Sequence, residues 1–465
     1  MFEQETYIGR RKKLMEQVGK GMILLPGNSE SSMNYKDNYY PFRQDSSFLY
    51  YFGLDKADLV GLLDIDNGKE IIFGDEQSVT DITWMGYREP LKDGAARAGI
   101  ADTRPLQAFG SYLENALRQG QPVYYLPPYR PEQLVRLAEW LSIPPASVLT
   151  GASEQLIKAI VAQRSVKTDQ ELQEIEKAIN TTSAMQRTAA AMARDGATEA
   201  GIAIRMQGIA MEDGGQLSFP TILTVNGQYL HNHYSFDSIR NGQLLLCDCG
   251  AETAMHYAGD LTRTFPVGGK FSSRQKDIYA IVLAAENFAL SQLAPGTRYL
   301  DVHIAACEKL AEGLKQLGLM KGDCLEAVKA GAHALFFPCG LGHMMGLDTH
   351  DMENLGERYV GYTDTLHQSR EFGLRSLRLG RELQEGFVLT VEPGIYMNPQ
   401  LMDQWEAEKK FTDFIRYDKL RAYRDFGGIR IEEDVVITSS GYSVLGDPLG
   451  KTAAEAENMV AAGAS

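Results

Sequence analysis

Two aspartates stand at the inner ends of one predicted hairpin, and their types and spacing could support chemistry. Asp248 ends the apolar run of residues 244–247, and Asp260 precedes the β-branched-rich run of residues 261–267. A carboxylate beside such strands is expected to be at least half buried, where its charge costs several kcal/mol unless a cation or hydrogen-bond donors compensate it. The alternative is that each Asp only closes its turn, because Asp is a common turn residue.

Three further polar residues stand in segments that otherwise predict burial. Glu392 interrupts the apolar strand VLTVEPGIY, and the proline after it ends the regular ladder. In GIRIEEDVVIT, the two-residue period of a strand places Glu432 on one face with Arg430 and Asp434. His343 stands among glycine and apolar residues in FFPCGLGHMMG. A single buried polar residue usually finds hydrogen bonds, but five in one domain are hard to satisfy without cations.

Charge counting predicts how many cations these residues would hold. The four carboxylates bring about −4 in total, which two divalent ions cancel, whereas one ion leaves about two carboxylates uncompensated. Four oxygen donors and one imidazole favour Mn²⁺ first, with Co²⁺ or Zn²⁺ as alternatives. Two ions about 3.5–4 Å apart can activate a shared water and polarise a carbonyl oxygen. The donor set therefore predicts a hydrolase.

Four segments occur in a set order: DCG-(9)-DLTRTF, GLGHMMGLDTHD, VLTVEPGIY and GIRIEEDVVIT. Together they resemble the pita-bread metallopeptidases, and within them the Xaa-Pro branch of aminopeptidase P and prolidase. The earlier stretch FRQDSSFLYYFGL is similar to the N-terminal domain of that branch, so the resemblance covers nearly the whole chain. It implies an α/β N-terminal domain, an α+β pita-bread (creatinase/aminopeptidase-type) catalytic domain, and hydrolysis of the bond between an N-terminal residue and a following proline.

The resemblance also implies a set of metal ligands. Carried over position by position, the five ligands of the family fall on Asp248, Asp260, His343, Glu392 and Glu432. The carboxylates of Asp260 and Glu432 would bridge the two ions.

Other residues match family positions near the substrate. His231 in YLHNH matches a substrate-side histidine, and His350 in DTHD matches the one that binds substrate near the scissile amide and assists proton transfer. Glu392 is the predicted proton shuttle, since in the family this ligand contacts the attacking water. Tyr396 and Arg430 match residues that steady the metal ligands. For the two histidines the alternative is a loop residue without a task.

Arg378 bears on the length of the substrate. It lies in the insertion GLRSLR, which resembles prolidases, where the equivalent arginine holds the free carboxylate of a dipeptide. A guanidinium suits that role because it can bind a carboxylate through two parallel hydrogen bonds. The alternative is a surface arginine in an arginine-rich loop.

Two features depart from the family pattern. The interval between Asp248 and Asp260 is one residue longer than expected, which predicts a bulge or a longer turn in the hairpin. Cys339 stands where the family often has a histidine, four residues before His343. The second departure puts one supporting hydrogen bond in question, but not a ligand.

The elements that must position these residues fall into two predicted domains. Residues 1–165 alternate strand and helix signals, including two strand runs separated by Asp66-Asn67-Gly68, a hairpin signal. A long helical pattern over residues 154–194 contains a polar break, where Thr168 or Asp169 is the expected N-cap. We therefore predict an N-terminal α/β domain over residues 1–165 and a catalytic domain over residues 166–465.

Composition limits the class of protein. The net charge of −15 argues against nucleic-acid and anionic-membrane partners, because both require a clustered basic face. Five cysteines are an odd number without a disulfide framework, which favours reduced thiols in a cytoplasmic protein. No signal-peptide core and no run of about 18 apolar residues is present. The family resemblance implies proline-containing peptides as substrates and a homodimer or homotetramer.

Two other interpretations remain open. A pita-bread hydrolase of other C–N bonds, such as a creatinase-like enzyme or a methionine aminopeptidase, would keep the fold. The former typically lacks the complete ligand set, and the latter lacks a large N-terminal domain. A non-catalytic peptide-binding relative would be favoured by the loss of a ligand, whereas all five are present. Preference for dipeptides or longer peptides also stays open.

Overall fold

A computed structural model describes residues 1–463, so the last two residues of the predicted second domain lie outside the described residues. Within that range the chain forms two compact units. The first consists of Met1–Arg164 together with Met352–Tyr359, and the second consists of Ser165–Asp351 together with the chain from Val360 onward. None of the helices in residues 1–463 has the length and apolarity needed to traverse a bilayer.

The first unit is built around a mixed sheet. Its elements in chain order are α1 (Gln4–Val18), β1 (Met22–Pro26), α2 (Ser46–Phe52), β2 (Val60–Asp64), β3 (Lys69–Phe73), α3 (Val79–Met85), α4 (Leu91–Arg97), β4 (Asp102–Arg104), α5 (Gln107–Arg118), β5 (Val123–Tyr125), α6 (Pro131–Leu141), α7 (Pro145–Gly151) and α8 (Glu154–Arg164). The strand order is β4-β3-β2-β1-β5. The central pairs β1–β2 and β2–β3 are antiparallel, and the outer pairs are parallel.

The two-residue period of the strands sorts one face of this sheet into a core. Alternate residues of β1, β2 and β3 are buried in a single apolar cluster with α5 and α6: Met22, Leu24, Val60, Leu62, Ile71, Phe73, Phe109, Leu113 and Leu137. The predicted hairpin between β2 and β3 is present, and Gly68 occupies its positive-φ position. The predicted α/β character of the N-terminal region is confirmed.

The second unit contains the segments with the candidate site residues. Its elements in chain order are α9 (Asp169–Met192), α10 (Glu199–Met211), β6 (Gln216–Leu217), β7 (Ile222–Thr224), β8 (Leu244–Cys249), β9 (Ala251–Glu252), β10 (Leu261–Pro266), α11 (Ser273–Ser291), α12 (Tyr299–Gln316), α13 (Cys324–Ala330), β11 (Val388–Val391), β12 (Gly394–Tyr396), α15 (Pro399–Ala407), α16 (Tyr417–Leu420), β13 (Gly428–Arg430), β14 (Glu433–Thr438), β15 (Gly441–Val444) and α17 (Ala453–Ala462). The short helix α14 (Glu357–Val360) lies mostly in the segment Met352–Tyr359 of the first unit. Short 3₁₀ turns include Ala332–Leu335.

Two antiparallel sheets support the site. One has the strand order β10-β8-β7 and the other β11-β14-β15, and β12 pairs with β13. In the first sheet Asp248 lies opposite Thr262. In the second, Val391 lies opposite Glu433, so the residues that follow β11 and precede β14 meet at the same end of the ladder.

Helix α9 starts where the sequence predicts and covers the first sheet. Thr168, rather than Asp169, is the N-cap: its hydroxyl accepts a hydrogen bond from the Glu171 amide, and the Glu171 carboxylate accepts one from the Thr168 amide. Farther along, the Gln186 amide donates to the Cys247 and Leu261 carbonyls at 3.0 and 2.6 Å. These bonds fix the helix against β8 and β10.

The sequence GIRIEEDVVIT, predicted as one strand, forms two. The ladder breaks at Ile431–Glu432, opposite the Glu392–Pro393 break between β11 and β12. Proline has no amide proton for the ladder, and the Glu432 amide donates instead to the Thr262 carbonyl of β10 at 3.1 Å. The prediction of one continuous strand is therefore wrong. The predicted alternation of side chains between the two faces is nevertheless kept on both sides of the break.

The Asp248–Asp260 hairpin contains the longer turn that its extra residue predicts. After β8 the chain forms β9, which pairs with β6 rather than with β10. It then reverses through a turn at Thr253–His256, where His256 has φ of 66°. Asp260 lies directly before β10, one position before the residue opposite Cys249.

Candidate metal centre

The five predicted ligands come from segments that are distant in sequence and adjacent in space. Asp248 lies in β8, Asp260 directly before β10, Glu392 between β11 and β12, and Glu432 between β13 and β14. His343 lies in a loop that an isolated bridge between Met344 and Leu389 holds against β11. Breaks in the ladders free the backbone at Glu392 and Glu432, so both side chains can turn toward the same point.

All five side chains line one cavity of about 570 Å³. The other lining residues include the predicted substrate-side residues and part of the surrounding wall: His231, His350, Arg378, Arg430, Cys339, Phe219, Leu230 and Ser376. Asp248, Asp260, His343 and Glu432 are buried, and the Glu392 side chain is 21% exposed. The cavity is therefore an acidic recess with a partly apolar wall.

His343 is oriented with one ring nitrogen toward the carboxylates. Its Nδ1 lies 3.0 Å from the Met344 carbonyl, which can only accept, so Nδ1 carries the proton and Nε2 presents its lone pair. That Nε2 lies 3.4 Å from Asp260 Oδ2 and 3.7 Å from Glu392 Oε1. Ligand atoms of Asp260, His343 and Glu432 all lie within 4.8 Å of one another. These separations suit side chains that share a metal ion.

The charges of this cavity are poorly compensated by the protein alone. Burial raises the pKa of Asp260 well above its usual range, and the charges of Asp248, Asp434 and Glu392 raise it further. Burial likewise raises the pKa of Glu432, followed by the effect of Asp260. The buried Oδ1 atoms of Asp248 and Asp260 have no hydrogen-bond partner among the described residues.

Arg430 supplies one positive charge to this acidic group. Its Nη2 donates to Asp248 Oδ2, its Nη1 donates to the Tyr396 hydroxyl at 2.9 Å, and its Nε donates to Thr262 Oγ1 at 3.1 Å. Arg430 and Arg378, which both line the cavity, cannot balance four carboxylates, and the orphaned oxygens point to bound cations. The oxygen-rich donor set with one imidazole fits divalent metal ions.

Tyr396 and Arg430, the residues predicted to steady the metal ligands, lie beside those ligands. Tyr396 holds Arg430, and Arg430 in turn holds Asp248. Such contacts fix the orientation of a ligand before a metal binds.

The predicted substrate-side residues also lie at the cavity. The His350 ring is half-buried, and its centroid is 4.3 Å from that of His343. His231 is more exposed; burial lowers its pKa, while the charge of Asp248 opposes that shift. Arg378 is half-buried in the cavity wall, whereas its neighbour Arg375 is exposed. The position of Arg378 therefore differs from that of an ordinary surface arginine.

Sequence reasoning missed three supporting residues. Thr262 donates to Glu432 Oε2 at 2.6 Å, Thr390 Oγ1 accepts from the His343 amide at 3.2 Å, and Asp434 accepts from the Asp260 amide at 2.9 Å. The strand alternation places Asp434 on the face of Glu432, so that residue carried a usable signal. The two threonines carried none, because their partners depend on the pairing register.

Cys339, the departure from the family pattern, is part of the cavity wall. Burial raises the pKa of its thiol to about 12, and the negative charge of Glu392 acts in the same direction. A protonated thiol is a weak hydrogen-bond donor. The replacement therefore leaves a neutral sulfur beside the ligands in place of an imidazole.

The fold and the cavity, which is lined by four carboxylates and one histidine, together define a metallopeptidase. Residues 173–439 match the model of metallopeptidase family M24, and residues 7–124 match that of the aminopeptidase P N-terminal domain. The chain belongs to family M24, and the predicted combination of an α/β N-terminal domain with a pita-bread catalytic domain is confirmed. Its metal is a divalent cation.

Similar proteins agree along the whole chain. The Xaa-Pro dipeptidase of Homo sapiens is 31% identical over 454 residues, covering 94% of this chain and 87% of the human protein. The structure of Pseudomonas aeruginosa aminopeptidase PepP superposes with a TM-score of 0.81 at 28% identity, covering 100% of this chain and 99% of that one. Zn-substituted Escherichia coli aminopeptidase P in complex with product gives a TM-score of 0.81 at 28% identity and 99% coverage of both chains.

Proposed function

We propose that this chain is a dinuclear-metal exopeptidase that hydrolyses the bond between an N-terminal residue and a following proline. The observation that supports this most is the convergence of four carboxylates and His343 Nε2 on one cavity, against which Arg430 and Arg378 supply only two positive charges. The names of similar proteins, Xaa-Pro dipeptidase and aminopeptidase P, agree with this substrate class.

The five ligands would hold two divalent ions. We assign this role to Asp248, Asp260, His343, Glu392 and Glu432. Mn²⁺ is the preferred metal, and Co²⁺ or Zn²⁺ are alternatives, because oxygen donors outnumber the one imidazole. When bound, such ions make a water nucleophilic near neutral pH and polarise the carbonyl under attack.

The residues of the chain then handle the proton and the substrate. Glu392 takes the proton of the attacking water and passes it to the leaving nitrogen, which in an Xaa-Pro bond is a tertiary amide without a proton of its own. His350, beside His343, binds the substrate near the scissile amide and assists that transfer. His231, which lines the same cavity, contacts the substrate.

Arg378 favours dipeptides over longer peptides. It is half-buried in the cavity wall, and its charge is close enough to lower the pKa values of His231 and His343, after the larger effect of burial. A guanidinium in this position can bind the free carboxylate that a dipeptide carries directly on its proline. We therefore propose Xaa-Pro dipeptidase activity as the main reaction.

Further properties follow as proposals from the same interpretation. We propose a domain boundary between residues 165 and 166, with the catalytic domain extending to residue 465. We also propose a homodimer or homotetramer in the cytoplasm. The cysteines of the chain are all free, which is consistent with a reducing compartment.

Cleavage of Gly-Pro and of Gly-Pro-Xaa-Xaa by the same preparation tests the substrate assignment. We expect faster cleavage of the dipeptide, and Arg378→Ala should lower kcat/KM for Gly-Pro by about 10–100-fold, mainly through KM, since one charge-assisted hydrogen-bond pair is lost. Arg375→Ala is the matched control, because that neighbouring arginine is exposed and should leave both reactions unchanged.

Two results would contradict these assignments. Equal cleavage of the two peptides, with Arg378→Ala affecting them equally, would indicate an aminopeptidase that accepts longer chains. A fully active preparation shown by elemental analysis to contain no metal would rule out the dinuclear mechanism.

A further inference from the structure

A second group of metal-ligating side chains lies in the second unit, outside the acidic cavity. His303 and Cys307 stand four residues apart on α12 and therefore share one face of that helix. His333 lies in the 3₁₀ turn Ala332–Leu335 that contacts the helix. The three side chains are buried, with exposures of 0%, 0% and 2%. We call them the His–Cys–His cluster.

The distances in the His–Cys–His cluster suit a shared ion. One ligand atom from each residue lies within 4.8 Å of the other two. Cys307 Sγ and His303 Nε2 are 3.5 Å apart. A metal with an M–S bond of about 2.3 Å and an M–N bond of about 2.0 Å separates its sulfur and nitrogen ligands by about 3.5–3.8 Å. The pair is thus already at the spacing of a coordinated pair.

The protein leaves several polar atoms of this cluster without partners. His303 Nδ1 and the ring nitrogens of His333 make no close hydrogen bond to a described residue, although the Val328 backbone near His333 acts on its pKa against the effect of burial. Buried polar atoms are normally satisfied, and an ion bound through one nitrogen of His333 would satisfy one of these atoms. Burial lowers the pKa of His303 to about 3 and that of His333 to about 4, so both imidazoles are neutral and present lone pairs.

The surroundings of the cluster are apolar and closed. The Phe337 ring lies 5.8 Å from the His303 ring, and Ala306 and Ala334 are fully buried beside it. On the other side the chain approaches so closely at Gly373 that a Cβ there would lie 2.7 Å from Ala334 Cβ and 3.5 Å from His333 Nε2. An ion in this position would be held by three protein ligands.

Donor type and charge together select the ion. One sulfur and two imidazoles form a soft donor set, which favours copper and zinc over the hard ions of the acidic cavity. A thiolate with two neutral imidazoles brings a charge of −1. A monovalent ion makes the buried site neutral, whereas Zn²⁺ would leave an uncompensated positive charge among apolar side chains, which is costly.

We propose that His303, Cys307 and His333 form a second metal site that binds one Cu⁺ ion per chain. On binding, a copper–sulfur bond forms as the Cys307 thiol releases its proton to solvent, and no electron is transferred. The site is chemically distinct from the acidic cavity and does not depend on the peptidase assignment.

Under anaerobic conditions, a chelator that becomes coloured when it binds Cu⁺ competes with the protein for the ion. This competition, measured on Mn²⁺-loaded full-length protein, tests the proposal. We expect one Cu⁺ per chain that excess Zn²⁺ does not displace. Cys307→Ser and His333→Gln should each weaken binding by at least about 100-fold. Cys324→Ser is the matched control, because it removes a thiol outside the cluster and should retain the ion.

X-ray absorption at the copper edge supplies an independent readout. We expect one sulfur and two nitrogen scatterers, and no copper-bound sulfur in Cys307→Ser. Absence of stoichiometric Cu⁺ binding, retention of binding in both cluster variants, or preferential loading of Zn²⁺ would overturn the proposal. Circular dichroism verifies that each variant is folded. If Cys307→Ser does not fold, the Cu⁺ binding of His333→Gln tests the proposal instead.

Discussion

Two neighbouring groups of buried charged residues lie on the same strands. They differ in whether the protein supplies an opposite charge to each carboxylate. On one face, Glu432 and Asp260 meet other carboxylates, and their pKa values rise. On the other face, Glu433 accepts a hydrogen bond from Arg263 Nη2 at 2.5 Å. Adjacent residues of one segment thus face opposite environments, because side chains alternate along a strand.

Within this paired group, the ion pair of Arg263 and Glu433 is complete within the protein. Besides Glu433, Arg263 donates to the carbonyls of Glu432 at 2.7 Å, Leu449 at 2.9 Å and Gly450 at 3.1 Å. Its side chain is fully buried. The unpaired group has two orphaned carboxylate oxygens instead. Several uncompensated carboxylates that line one cavity therefore indicate a cation site, whereas a single buried charge does not.

The largest expected effect concerns the unpaired group. Removal of divalent metal with a chelator should reduce peptidase activity by at least about 10⁴-fold, because the water is no longer activated. Activity measured before chelation, after it, and after addition of Mn²⁺ checks this. Full activity in the chelated protein would mean that the carboxylates function without cations.

A substitution in the paired group should change the free energy of unfolding. Arg263→Met should lower the free energy of unfolding by about 3–5 kcal/mol, because it leaves Glu433 buried without its partner. Urea unfolding of the variant measures this loss. As a control, Arg298→Met removes an exposed arginine paired with Asp301 and should change stability by less than about 1 kcal/mol. Similar losses in the two variants would contradict the comparison.

Glu286 shows where compensation in the paired group is incomplete. Burial raises its pKa to about 7, although the charge of Lys451, 3.1 Å away, opposes the shift. The unfolded carboxyl titrates near 4.5, so the folded chain binds more protons between that pH and about 7. The stability contributed by this group is present below pH 4.5 and falls by about 3 kcal/mol as pH rises through about 7.

Glu286→Gln should remove that pH dependence, which urea unfolding at pH 5 and pH 8 measures. Glu312→Gln, a change at an exposed partner of Lys309, is the control and should retain it. An unchanged pH profile in Glu286→Gln would show that Glu286 is not the group responsible.

The smallest and most direct comparison uses the two adjacent glutamates. In metal-free protein, Glu432→Gln should raise stability by about 1–3 kcal/mol because it removes one of several repelling buried charges, whereas Glu433→Gln should lower it by a similar amount because Arg263 loses its partner. Opposite signs in parallel urea titrations support the comparison. Equal signs would remove the distinction between the two faces.

Much of the fold was predictable from local patterns. The N-cap at Thr168, the hairpin at Gly68 and helix α6 all follow from short-range rules of capping, turns and periodicity. The five candidate ligands were also named in advance. Polar residues in apolar segments are visible in sequence, and the resemblance to the pita-bread metallopeptidases made them an expected site.

Other features depend on contacts between distant segments. The break at Ile431–Glu432 arises because the Glu432 amide bonds to Thr262 in another strand, which no local propensity encodes. The roles of Thr262 and Thr390 likewise follow from register. The assignment of Met352–Tyr359 to the first unit is a property of the folded chain, not of a sequence boundary.

Residue identities alone indicate the type of chemistry, since they set charge, donor softness and the period of each strand. The tertiary structure alone decided which charges are compensated, since that depends on which side chains meet across sheets. Glu432 and Glu433 are identical and adjacent in sequence, and only the packed strands give one a set of acidic neighbours and the other an arginine.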